Sequence, residues 1–200
     1  MKPFIPIRLI LFRLALAPII LALALIFGQE ARYLLLVLMY LGLISDILDG
    51  IIARKLGIAS EKLSRFDSQT DLVFWLSIAV STWLLHPVVI SQNSLPISIL
   101  FIMEGMCYAI SIIKFGKETC THALLSKLWG ISLLAGFTSL IGFDYAGIPF
   151  LIAIFLGLIS HLDRILITLF LTVWTHDVPS CYHAYLLRKG REIKRNKLLN

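Results

Sequence analysis

Residues 46–71, DILDGIIARKLGIASEKLSRFDSQTD, carry four aspartates, Asp46, Asp49, Asp67 and Asp71, at spacings of three, eighteen and four. Residues three or four apart share a helix face, so each pair sets two carboxylates side by side. At about 100° per residue, Asp46, Asp49, Gly50, Ala53 and Arg54 fall within an arc of roughly 140°. Gly50 and Ala53 leave that face without bulk, so a neighbouring helix or a ligand can approach the backbone.

Gathered carboxylates repel and raise one another's pKa, and each charge placed near a bilayer core costs about 2.5–3.5 kcal/mol. A single aspartate at a helix end reads as a solvated interfacial charge. Four on two faces do not, and a divalent cation removes both penalties together. Ligation by carboxylates alone suits hard ions such as Mg²⁺, Mn²⁺ or Ca²⁺ rather than Zn²⁺. Four carboxylates can hold two ions, the arrangement that activates a nucleophile and stabilises a phosphate leaving group. The adjacent Arg54 can pair with phosphate oxygens.

The elements that must position these residues are transmembrane helices. Of 200 residues 58% are hydrophobic and 15% charged, against roughly 45–50% and about 25% in a soluble domain. Apolar runs predict six spans, at about 6–28, 31–53, 66–86, 95–115, 122–143 and 147–174, each near the ~20 residues that cross a bilayer. Gly28-Gln29-Glu30, His86-Pro87, Asn93-Ser94-Leu95-Pro96, Gly116 and Gly147-Ile148-Pro149 mark the breaks. With no alternating strand pattern, backbone hydrogen bonding in lipid requires helices, so the expected fold class is all-α. Arg8 and Arg13 interrupt the first apolar run, so it is expected to remain as a helix and not to be cleaved as a signal peptide.

Lysines and arginines set the orientation. The N-terminus has Lys2, the second connection Arg54, Lys55, Lys62 and Arg65, the fourth Lys114 and Lys117 with Lys127 just beyond, and the tail six more. The first, third and fifth connections together hold only Arg32. Both termini and all four aspartates are therefore expected on the cytoplasmic side. The net charge of +6 is spread over these loops and the tail, which fits anionic lipid headgroups and argues against nucleic acid. Cys107, Cys120 and Cys181 have no paired or metal-type spacing and read as reduced thiols.

The aspartate segment resembles the motif of the CDP-alcohol phosphatidyltransferase family, D-x2-D-G-x2-A-R-x8-G-x3-D-x3-D. It appears here as Asp46, Asp49, Gly50, Ala53, Arg54, Leu63, Asp67 and Asp71, so seven of eight defining positions match with every spacing kept. Pro6, Arg13 and Pro18 look like a recurrent pattern of the family's first helix, with Ile7 and Ile10 in place of the usual Asn and Thr, and Ser126-Lys127 resembles a lysine near the start of the fifth. The resemblance implies a six-helix domain over 1–174 followed by a basic cytoplasmic tail, 175–200. It also implies a homodimer in a bacterial inner membrane and an active site facing the cytoplasm.

The implied reaction moves a phosphatidyl group from a CDP-linked lipid, usually CDP-diacylglycerol, to an alcohol acceptor and releases CMP, in phospholipid synthesis. Glycerol 3-phosphate is the acceptor expected; inositol phosphate, serine and choline-type alcohols remain open. Asp46, Asp49, Asp67 and Asp71 would hold two Mg²⁺ or Mn²⁺ ions, with Asp71 also the base that takes the acceptor's proton. Asp46, Gly50, Ala53, Arg54 and Leu63 would line the nucleotide and its phosphates. Leu63 stands where the family has glycine, which implies a reshaped cytidine pocket, a different donor or lost activity; with all four aspartates kept, reshaping is the expectation.

Other polar residues have two readings each. Lys127 and Arg13 can bind the acceptor or lipid phosphate, and a buried Arg13 requires a partner or an anionic ligand. Lys114 and Lys117 are expected as interfacial anchors, His122 as a loop residue, and Glu104 as a helix–helix hydrogen bond. His161 and Arg164 can share a face, while Asp163 either faces the site or pairs internally. Two other functions compete: a divalent-cation transporter, whose site would be expected near the midplane, and a non-catalytic nucleotide-binding relative, which Leu63 alone favours.

Overall fold

The computed structural model describes residues 4–58, 60–119 and 123–191. The described residues form helices and no strands: α1 (Phe4–Phe27), α2 (Arg32–Lys55), α3 (Glu61–Leu85), α4 (Pro87–Gln92), α5 (Ser94–Phe115), α6 (Leu124–Phe137), α7 (Ile148–Phe170) and α8 (Cys181–Arg188). A single 3₁₀ turn at Gly28–Ala31 joins α1 to α2, and α6 runs on into a π-helical turn at Thr138–Gly142.

Six long helices stand where the apolar runs place them. Four helical segments are long and apolar enough to cross a membrane: Phe4–Lys55, which comprises α1 and α2, then Ser94–Phe115, Leu124–Gly142 and Ile148–Phe170. The last of these six, α7, ends at Phe170, short of the expected 174. The 25 residues of α3 reach about 37 Å at 1.5 Å per residue, but Asp67, Gln69 and Asp71 make its first half polar. The outward faces are apolar, with Leu11, Phe12, Ile19, Leu41, Ile44, Val73 and Val80 exposed. In water such a surface would aggregate; against lipid it is what a helix requires.

Local signals set the boundaries. Ser60 caps α3, its hydroxyl accepting the Leu63 N–H at 3.3 Å, with Glu61 in the first turn. Gly116 ends α5 in the left-handed conformation, φ 66°, which glycine adopts without a Cβ clash. His86-Pro87 stops α3, because the residue before proline is pushed away from helical angles. Inside the helices Thr70, Ser77, Thr82 and Thr168 donate their hydroxyls to carbonyls one turn back, leaving those polar groups satisfied.

The chain forms two compact units. The first contains α1 to α4 and Gly136–Gly147. In it α1 packs along both α2 and α3, burying Pro6, Ile10, Arg13, Ala17, Ile20 and Ala24. Their spacings alternate between four and three, which makes one core-facing stripe with an arginine at its centre. Between α2 and α3 the buried Phe74 ring lies directly on Gly42, where any Cβ would collide with it. Trp75 stacks on Phe137 with ring centroids 6.0 Å apart, and Tyr40 shares a 3.1 Å hydrogen bond with Thr138. At the other end of α3, His86 pairs with Asp144 at 2.7 Å, and Gln29 donates to the Leu85 carbonyl at 2.7 Å.

The second unit contains Asn93–Ala135 and the chain from Ile148 onward. In it α5 packs on α7 and α7 on α8. Gly157 admits the Leu100 side chain and the Trp129 indole, whose Nε1 donates to the Ala153 carbonyl at 3.1 Å. Lys114 caps α7 by donating to the Thr168 and Leu169 carbonyls at 3.0 and 2.7 Å, and the Lys117 ammonium lies 4.8 Å from the Trp174 ring centroid. Beyond residue 174, Val178 and Ala184 are buried with Ala123, Ile167 and Leu171 in a small apolar core. Lys2, Cys120, His122 and the end of the basic tail, 192–200, lie outside the described residues.

Replacing Gly42 by alanine forces the Phe74 ring out of its seat. We expect a loss of about 1–3 kcal/mol, the cost of overpacking a filled core. A lowered thermal midpoint in detergent, followed by circular dichroism, checks it.

Candidate functional site

The four aspartates converge on Arg13. Asp46 and Asp49 project from the second half of α2 and Asp67 and Asp71 from the first half of α3, and α1 lies against both helices. The Arg13 guanidinium is fully buried and pairs with Asp46 at 2.5 Å, Asp71 at 3.0 Å and Asp49 at 3.3 Å, and also with Asp67. A divalent metal is one remedy for carboxylate repulsion. The structure adds a second remedy, a protein cation delivered by a third helix. The signal was present: Arg13 falls on the same 4–3 stripe as Ile10, Ala17 and Ile20. A reading that weighs the segment 46–71 by itself does not see it.

The cluster is graded in depth. Side-chain exposure is 3% for Asp49 and 15% for Asp67, against 29% for Asp71 and 33% for Asp46. Asp49 and Asp67 therefore form the floor, while Asp46 and Asp71 reach the solvent-accessible rim. Ligand oxygens of Asp46, Asp49 and Asp67 all lie within 4.8 Å of one another, close enough to share one ion. The donor set is carboxylate oxygen throughout, which fits Mg²⁺ or Mn²⁺. Within these five groups, four carboxylates face one guanidinium, an excess of negative charge that a divalent ion offsets. Arg13 Nε is buried with no hydrogen-bond partner among the described residues, so the guanidinium is itself incompletely satisfied in this seat.

The remaining motif residues surround this cluster. Ala53 is buried, and Gly50 has its missing side chain taken up by Arg54, whose Nη1 lies 3.3 Å from where a Cβ would stand. Arg54 itself is exposed and folds back over the glycine. Leu63 is half-buried in the first turn of α3, with its N–H held by the Ser60 cap. Lys127 stands half-buried in the first turn of α6, in the second unit.

The second unit holds its own polar cluster. Arg164 grips Glu104 with two hydrogen bonds, 2.6 and 3.2 Å, and His161 Nε2 meets the same carboxylate at 2.7 Å. His161 Nδ1 lies 2.5 Å from the Gly157 carbonyl, and its ring packs edge-to-face on Trp129 at 4.6 Å between centroids. Glu104 thus ties α5 to α7, the helix–helix role expected of it. Asp163 accepts the Cys181 N–H at 2.9 Å, an internal partner at the start of α8. Burial and that carboxylate push the Cys181 thiol up, which keeps it protonated. Cys107 and Cys181 are free thiols.

A CDP-alcohol phosphatidyltransferase family model matches residues 4–174. The chain belongs to this family, whose chemistry is phosphatidyl transfer from a CDP-alcohol. The match spans the aspartate segment as well as α1 and α7, so it does not rest on the motif alone. Searches of curated proteins and of solved structures return no match.

Glu104→Ala removes the acceptor that balances a guanidinium with only 12% of its side chain exposed. Breaking a buried pair from one side costs about 3–5 kcal/mol. A large fall in the thermal midpoint in detergent is the outcome expected.

Proposed function

We propose that the chain transfers a phosphatidyl group from CDP-diacylglycerol to a small alcohol, with glycerol 3-phosphate the leading acceptor, and releases CMP in phospholipid synthesis. The observation that carries this reading is the convergence of Asp46, Asp49, Asp67 and Asp71 from two helices into one graded cluster. Membership of the family supports the class of reaction. The distribution of lysine and arginine supports six passes with both termini and the cluster facing the cytoplasm.

The residues divide the work by depth. Asp49 and Asp67, on the floor, and Asp46, at the rim, hold two Mg²⁺ or Mn²⁺ ions together with Asp71. Such ions supply the charge neutralisation that a diphosphate needs to bind and to part as CMP. Arg54 swings from Gly50 to pair with the donor's phosphates, and Gly50 and Ala53 leave room for the nucleotide backbone. Asp71, at the open side, takes the proton of the acceptor hydroxyl as its oxygen attacks the lipid-bearing phosphorus. The bond between that phosphorus and the bridging oxygen breaks, and the electron pair leaves with CMP. Chemistry of this kind depends on positioning and electrostatics more than on a covalent intermediate. A homodimer is the assembly that the family resemblance suggests.

Purified protein in lipid nanodiscs, given CDP-diacylglycerol, a panel of alcohols and Mg²⁺ or Mn²⁺, should release CMP, and EDTA should stop it. Asp71→Asn should lower the rate by about 10²–10⁴-fold, the scale of general-base catalysis, while donor binding persists. Donor binding without CMP release for any acceptor contradicts the reading and indicates a binding protein; metal flux across liposomes indicates a transporter. Leu63→Gly restores the family residue. We expect it to lower the donor KM, read in the same assay, with little change in kcat.

A further inference from the structure

The aspartates meet a cation that the chain supplies itself. Arg13 reaches Asp46 Oδ1, Asp49 Oδ2, Asp67 Oδ1 and Asp71 Oδ1 with its two terminal nitrogens. Mg²⁺ needs oxygens of the same carboxylates at about 2.0–2.1 Å. An ion that close to oxygens already in contact with a guanidinium would stand against another positive charge in a buried, weakly screening site.

We propose that Arg13 is a built-in competitor for the divalent ion: it holds the four carboxylates together until metal takes them, and metal binding requires its guanidinium to withdraw. Three observations support this. Arg13 is fully buried, so its charge bears on the cluster with little solvent screening. Its Nε is buried without a hydrogen-bond partner among the described residues, so its seat is held by charge and is incompletely satisfied. The cluster opens toward Asp46 and Asp71, the more exposed pair, which gives a long side chain a way out. Arg13 is then the group that keeps α2 and α3 together when metal is scarce, and it sets the metal concentration at which the site becomes competent.

The inference rests on the transferase reading for its metal, and the test separates the two. The probe is Mn²⁺ itself, titrated by electron paramagnetic resonance into the full chain in nanodiscs, with thermal midpoints recorded alongside. Arg13→Gln should bind Mn²⁺ at least about tenfold more tightly than wild type, because a repelling charge is gone. Without metal its midpoint should fall below wild type, and Mn²⁺ should raise it by more than it raises wild type. Arg13→Gln that binds Mn²⁺ no more tightly, or more weakly, overturns the proposal and makes Arg13 an organiser of the metal site. Should the variant not fold, a structure of the wild-type chain with Mn²⁺ decides: a guanidinium withdrawn from the ion-bound carboxylates supports the proposal, and one still pairing with all four overturns it. Wild type that binds no Mn²⁺ overturns this proposal and the transferase reading together, whereas failure of the Arg13→Gln comparison leaves the latter standing.

Discussion

Four carboxylates drawn together between apolar helices must be neutralised, and that electrostatic requirement governs the first unit of this protein. Burying them away from water would cost several kilocalories each if they stood alone. The structure answers with Arg13, carried on the core-facing stripe of α1 into contact with Asp46, Asp49, Asp67 and Asp71. The apolar stripe of α1 packs on both α2 and α3, and this lets one guanidinium serve two aspartate pairs. Buried ion pairs are rarely a good source of stability, because desolvation offsets most of the attraction. Their retention here is better explained by the site they build.

The rest of the first unit keeps that geometry in place. Gly42 lets Phe74 sit flush against α2, which brings the aspartate faces of α2 and α3 to one place. Ser60 fixes where α3 begins, and so the register of Asp67 and Asp71 in its first half. The second unit solves a similar problem differently. Glu104 is shared by Arg164 and His161, so its polar groups are largely consumed internally and tie α5 to α7. The contrast separates a cluster built to stay closed from one with carboxylates at an open rim.

Much of this was legible in the sequence, for identifiable reasons. Helix positions followed from runs of apolar residues bounded by Gly28, His86-Pro87 and Gly116, because backbone hydrogen bonding in lipid leaves few alternatives. The aspartate pairing followed from i,i+3 and i,i+4 spacing. Three features did not follow. The short helix α4 is too brief to show a period, and α8 buries Ala184 in a segment that composition marks only as basic and aromatic. The third is the partnership of Arg13 with all four aspartates, a contact across 33 to 58 residues of sequence that local periodicity cannot specify. Even there, the position of Arg13 on the buried stripe of α1 was readable; only its partners were not.

The central claim is that these carboxylates form one divalent-metal site. Counting Mn²⁺ ions bound per chain, by paramagnetic resonance on wild type and on the four single Asp→Asn variants in nanodiscs, tests it most directly. The account predicts saturable binding of about two ions per chain in wild type. Asn at Asp49 or Asp67, on the floor, should weaken it most. Binding that is unsaturable, or equally strong in all four variants, would contradict the claim.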